Sequence, residues 1–223
     1  MNKGKFIVIE GLDGSGKTTQ LEFIKKWFKD NMPNKTVILT REPGGTDNPI
    51  GEQIREILLN NEMNDYTRVL LYAASRYEHS KKIEEWIRNG YIVICDRYLY
   101  SSIAYQSSDI ISVSNIINVN RYENIAIPDL VLFLRVDFDT YQDRKNKRRQ
   151  ERDLDAIEKK DNMFFKKALR NYDTYLEPVC HLQDVMCHTK IKVAIINSNK
   201  NIEEVSSQIK ESLNDFFNIK EEF

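Results

Sequence analysis

The sequence predicts an α/β fold of three layers, α/β/α, built on a five-stranded parallel sheet. Three observations carry that prediction. Five short apolar runs rich in β-branched residues recur along the chain, as strands buried on both faces require. Long helix-compatible segments separate them, the spacing that parallel crossovers need. A glycine-rich turn follows the first run directly, in the place where such sheets gather ligands.

The runs are Phe6–Ile9, Val37–Leu39, Ile92–Cys95, Leu130–Leu134 and Val193–Ile196. Asp65 to Asn89 reads as a helix ended by Gly90, and Asp139 to Arg152 and Asp161 to Val185 read as mostly helical. No repeat or low-complexity linker interrupts the 223 residues, so a single domain over 1–223 is expected. A hydrophobic fraction of 41% excludes a disordered chain. With 33 Lys and Arg against 34 Asp and Glu, no global field attracts nucleic acid or an anionic membrane surface. No run approaches membrane-spanning length and no signal-peptide core is seen, so the expected location is cytoplasmic. Three cysteines fit reduced thiols. Cys180-His181 and Cys187-His188 share a helix face, but they lack the C-x-x-C spacing of zinc modules and read as packing.

Gly11-Leu12-Asp13-Gly14-Ser15-Gly16-Lys17-Thr18 fits G-x-x-x-x-G-K-[ST], the P-loop pattern. Its glycines let backbone N–H groups curl around phosphate oxygens, Lys17 adds a point charge on the β- and γ-phosphates, and Thr18 offers a hydroxyl to Mg²⁺. The helix beginning near Lys17 points its positive end at the same anion. A bound nucleoside triphosphate follows, with Gly11, Asp13, Gly14, Ser15, Gly16, Lys17, Thr18 and Thr19 around it. Asp13 would repel that triphosphate if it pointed inward, so it is expected to face a second substrate. At the end of the third run, Asp96 is placed to support Mg²⁺ and Arg97 to bridge phosphates. After the second run, Arg41-Glu42-Pro43-Gly44-Gly45-Thr46 makes a fixed loop from which Arg41 reaches a phosphate or an acidic partner.

The ordered motifs GLDGSGKTTQ, TREPGGT, LLYAASRYEH, DRYLYSSIAYQ and PDLVLFL resemble those of the thymidylate kinase family, in detail from about Lys5 to Leu134. The resemblance implies transfer of the γ-phosphoryl of ATP to dTMP for dTTP synthesis, with Mg²⁺ as cofactor and a homodimer as the assembly. Neither nucleic acid nor a membrane is an expected partner. By resemblance, Tyr72 stacks on thymine and Arg76 reads a base carbonyl. Residues four apart share a helix face, so a π surface and an edge donor meet there. Ser101, Ser102 and Gln106 belong to the same acceptor pocket, and Tyr105 stands near C2′ of the sugar. Arg41, Arg55 and Arg97 match the monophosphate site, with Glu42 and Pro43 beside them. Asp13 lies near the acceptor 3′-hydroxyl and phosphate.

The basic segment at about 143–158 matches the lid, and its Arg144 an arginine that packs on adenine. Gly14-Ser15 leaves this P-loop without the arginine some relatives carry there. Arg148, Arg149 and Arg152 are therefore the candidate transition-state cations, with Lys17, Arg97 and Asp13 completing the catalytic set. Two stretches depart from the family pattern. Ser107-Ser108-Asp109-Ile110-Ile111 replaces a Gly/Arg-containing loop, and Ala156 stands where many relatives have Arg. Rival readings are a kinase for another nucleoside monophosphate or a deoxynucleoside, or, from a different class, a GTPase switch or a regulatory ATP-binding module, which a turnover assay separates from a kinase. Tyr72, Arg76 and DRYLYSSIAYQ argue against the first, and the missing N-K-x-D against the switch.

Overall fold

The computed structural model describes residues 3–151 and 160–219, with the side chains of 148–151 excepted. β1 (Lys5–Glu10) leads through the glycine-rich turn into α1 (Lys17–Asn31). β2 (Val37–Arg41), α2 (Pro49–Asn60), α3 (Asp65–Arg88) and β3 (Ile92–Asp96) follow, then α4 (Leu99–Gln106) and α5 (Val113–Val119). β4 (Leu130–Arg135), α6 (Phe138–Glu151), α7 (Asn162–Cys187), β5 (Lys192–Asn197) and α8 (Ile202–Phe217) complete the order.

The five strands form one parallel sheet in the order β2-β3-β1-β4-β5. Strand alternation splits the core in two. Phe6 and Val8 of β1 face a cluster with α3, α4 and α7, while Ile7 and Ile9 face Ile24, Trp27 and Phe28 of α1 and Val205, Ile209 and Leu213 of α8. β1 is the centre of the sheet; the chain crosses from it to the edge strand β2, returns to β3 beside β1, and then continues on the other side through β4 and β5. The crevice at the carboxyl end of β1 is the switch point where ligands bind.

Each apolar run became a strand, but the two edge strands are only half-buried. Val37, Ile38 and Leu39 are partly exposed, and Ile195 is 52% exposed. An edge strand has one neighbour, and its flanking helices cover it incompletely. α3 starts on the Asn64 side chain, which accepts from the Tyr66 amide, and stops before Gly90 (φ 82°). α7 runs two residues beyond the expected end, to Cys187. Asp161 is its cap rather than its first turn, accepting from the Phe164 amide.

Candidate active site

The turn after β1 is held open by backbone that other residues adopt poorly. Gly11, Gly14 and Gly16 sit at φ 144°, 84° and 98°. A Cβ on Gly11 would lie 2.7 Å from the Leu134 carbonyl. α1 begins at Lys17, so its unpaired N–H groups face the turn. The Lys17 ammonium crosses the loop and donates to the carbonyls of Gly11 (3.1 Å) and Leu12 (3.0 Å). Burial, with the Arg97 charge second, pulls its pKa below the usual lysine value. Gly14, Ser15, Lys17, Thr18 and Thr19 line a cavity of about 550 Å³, which also receives Asp96, Arg97 and Arg144.

Asp96 Oδ1 is buried in that cavity's wall and has no hydrogen-bond partner among the described residues. A buried acceptor without a donor costs free energy unless something supplies positive charge. One carboxylate and the Thr18 hydroxyl are the hard oxygen ligands that Mg²⁺ takes when substrate phosphates complete its shell. The residues present therefore fit the ion. Among the described residues no three His, Cys, Asp or Glu side chains gather into a metal site, the Cys180 and Cys187 pair included. Burial pushes the Cys180 thiol up to about 12, as for a packed residue.

Arg97 and Asp13 face both this cavity and a second one of about 560 Å³. The Arg97 guanidinium donates to Asp13 Oδ1 (2.5 Å), to the Gly11 carbonyl (3.1 Å) and to Ser101 Oγ (3.2 Å). Its backbone has φ 69°, sparsely populated outside glycine. The Tyr105 ring lies 5.2 Å from the guanidinium, and its hydroxyl is 3.5 Å from Asp13 Oδ2. Burial, then the Asp13 charge, push the Tyr105 phenol up, so it stays a neutral donor.

Arg76, 1% exposed, also lines the second cavity. It donates to Glu42 Oε2 (2.7 Å), Asn120 Oδ1 (2.5 Å), Ser102 Oγ (2.9 Å) and the Tyr98 carbonyl (3.3 Å). A guanidinium has five donors, so four bonds leave capacity for another. Glu42 Oε1 also meets His79 Nδ1 at 3.2 Å. Gln106 Oε1 is buried without a partner among the described residues, and Tyr72, half-buried, lines the same space with Pro43 and Ser101. Arg55 reaches it too while donating to the Pro43 carbonyl (3.3 Å).

The thymidylate kinase family model matches residues 9–209. A thymidylate kinase of Clostridium novyi (strain NT) is 35% identical over 216 residues, covering 94% of this chain and 98% of that one. One of Finegoldia magna (strain ATCC 29328) is 36% identical over 214 residues, covering 93% and 97%. One of Mesoplasma florum (strain ATCC 33453) is 35% identical over 213 residues, covering 92% of each. The chain belongs to the thymidylate kinase family. With membership goes the family's activity, phosphorylation of dTMP with ATP as donor. No helix among the described residues is long and apolar enough to cross a membrane.

The expected site residues divide by place. Those of the P-loop from Asp13 to Thr19, with Asp96 and Arg144, meet in the first cavity, while Gly11 does not line it and offers its carbonyl to Lys17 and Arg97; Glu42, Pro43, Arg55, Tyr72, Arg76, Ser101, Ser102, Tyr105 and Gln106 meet in the second. Arg41 stands apart from both. It ends an edge strand, is exposed, and donates to both carboxylate oxygens of Glu52 at 3.0 Å. Of the two destinations its position allowed, the structure shows the acidic partner. Arg144 reaches the carbonyls of Gly14 (3.3 Å) and Ser198 (2.8 Å) at the first cavity's edge. The side chains of Arg148 and Arg149, and all of Arg152, lie outside the described residues.

Several contributors were missed. Ser198, just after β5, donates to the Ser15 carbonyl. Phe164 and Lys167 of α7 line the second cavity. Asn120 and Glu10 carry bonds that hold Arg76 and the start of α4. Only Glu10 had a local signal, an acid closing an apolar strand.

Proposed function

We propose that the two cavities hold the two substrates of one transfer, ATP over the P-loop and dTMP in the second. The acceptor phosphate meets the γ-phosphorus beside Arg97 and Asp13. The observation that carries this reading is that shared wall: one guanidinium and one carboxylate border both spaces. A phosphate oxygen is already anionic, so the attack needs no strong general base, and positioning with charge neutralisation does the work. Lys17 trades its loop carbonyls for phosphate oxygens. Arg97 holds the acceptor phosphate, with Arg55 further along the pocket, while Asp13 keeps Arg97 aimed and faces the sugar. Tyr105 fills space at C2′, Tyr72 stacks on thymine, and Arg76 and Gln106 meet its polar edge with Ser102.

Thr18 and Asp96 would hold Mg²⁺. Bound there, the ion neutralises charge on the transferring phosphates. The chain acts as one domain over 1–223, with a lid at about 143–158 supplying Arg148, Arg149 and Arg152. It works as a homodimer, as the family resemblance implies, and in the cytoplasm, the location its three cysteines fit as reduced thiols. The test is a panel of dTMP, dUMP, dCMP, dGMP and AMP with ATP, followed by ADP release. The expected outcome is the highest kcat/KM with dTMP. A higher value with dCMP, dGMP or AMP would dismiss this acceptor site.

A further inference from the structure

Glu10 is fully buried beneath the junction of the two cavities, and four donors converge on its carboxylate. The amides of Tyr98 (2.8 Å) and Ser101 (3.1 Å) reach Oε1, and the hydroxyls of Ser101 (2.6 Å) and Tyr172 (2.8 Å) reach Oε2. The two amides belong to the N-cap Tyr98 and to Ser101 in the first turn of α4, positions whose N–H groups have no partner within the helix. Glu10 thus satisfies this helix start as a bound anion would. α4 carries Ser102, Tyr105 and Gln106 on the acceptor side.

Next to its N-cap Tyr98 stands Arg97, whose positive φ persists only where its surroundings enforce it. Two bonds bracket that residue, Arg97 N to the Ile9 carbonyl (2.9 Å) and Tyr98 N to Glu10. Ser101 Oγ donates to Glu10 and also accepts from Arg97 Nη1. Burial pushes the Glu10 pKa up, and the Ser101 bond and the Arg97 charge oppose it.

We infer that Glu10 is a positioning residue for phosphoryl transfer, fixing the Arg97 guanidinium against the acceptor phosphate through Ser101 and the Tyr98 amide. It touches no substrate. The inference rests on the reading of Arg97 given above. The test is a double-mutant cycle between Glu10→Gln and Arg97→Ala, read as kcat and KM for each substrate, with Tyr172→Phe as a milder probe that keeps the ring. Glu10→Gln keeps the shape but turns one acceptor into a donor. It should lower kcat/KM for dTMP on the order of 10- to 100-fold and leave the ATP KM within about twofold.

Tyr172→Phe should lose less in the same direction. On the Arg97→Ala background both losses should shrink to less than about threefold, because the group they aim is gone. A loss that persists in full on that background would overturn the inference, since a merely structural role gives additive effects. Normal kcat/KM in Tyr172→Phe and Glu10→Gln alike would also overturn it. Should Glu10→Gln not fold, Tyr172→Phe decides by the same criterion. Normal turnover in Arg97→Ala alone is a separate failure, that of the proposed role of Arg97.

Discussion

Asp96 shows what a residue's type and address disclose. An acid after an apolar strand, in a chain with a P-loop, marks a candidate metal support, and the structure adds a buried Oδ1 with no donor among the described residues. Asp96→Asn keeps the volume and removes the charge. The expected result is a large rise in the Mg²⁺ concentration for half-maximal turnover, with little change in the dTMP KM, checked by titrating Mg²⁺ at saturating nucleotides. An unchanged Mg²⁺ dependence would remove Asp96 from the metal site. Arg76 shows the opposite limit. Its helical offset from Tyr72 was readable, but its partners Glu42 and Asn120 lie 34 and 44 residues away. No local pattern encodes such pairings; they follow from chain packing. Arg41 was readable only as a choice between two destinations, because the distance to Glu52 depends on how α2 docks.

Elements were legible where periodicity is strong. The five strands and α3 follow from apolar runs, a cap and a glycine stop. Segment 107–111 was not, because its turn is made by a serine side chain and tied down by residues distant in sequence, Tyr66 and Asn171. Ser108 Oγ accepts from the amides of Ile110 and Ile111, and Ile111 is then fully buried. A serine turn with an apolar plug takes the place of a glycine loop, and Tyr66 of α3 donates to the Ile110 carbonyl at 3.1 Å. α8 offers a prediction on this scale. Asn201 and Glu204 form a reciprocal capping box, and the next residues, Ile202 and Val205, line the first cavity. Asn201→Ala should cost about 1 kcal/mol, measured by urea unfolding. It should also raise the ATP KM more than the dTMP KM, since the frayed turn borders only the donor cavity. Equal rises in both KM values would contradict that assignment.

On the scale of the whole molecule, the charges are nearly balanced, so the cations needed at the transfer must be local. At the cavity junction Lys17 and Arg97 face Asp13, Asp96 and Glu10, a set that gains a triphosphate and a monophosphate during turnover. The P-loop offers Gly14-Ser15, not an arginine, so further positive charge has to arrive over the donor cavity. α6 points that way: its Arg144 and Lys147 line the cavity wall, and Arg148, Arg149 and Arg152 come next in sequence. If one of these three meets the charge that spreads over the equatorial oxygens, its alanine variant should lower kcat and leave the dTMP KM nearly unchanged, the signature of an interaction made mainly in the transition state. Loss of one such donor typically costs about 3 kcal/mol, or roughly two decades in rate. Arg144→Ala should instead raise the ATP KM, because its proposed partner is adenine. The decisive variant is the triple alanine at 148, 149 and 152, assayed by steady-state kinetics at saturating ATP and dTMP. A wild-type kcat there would place the cation elsewhere, with Lys147 and Lys200 of the same cavity the next to substitute.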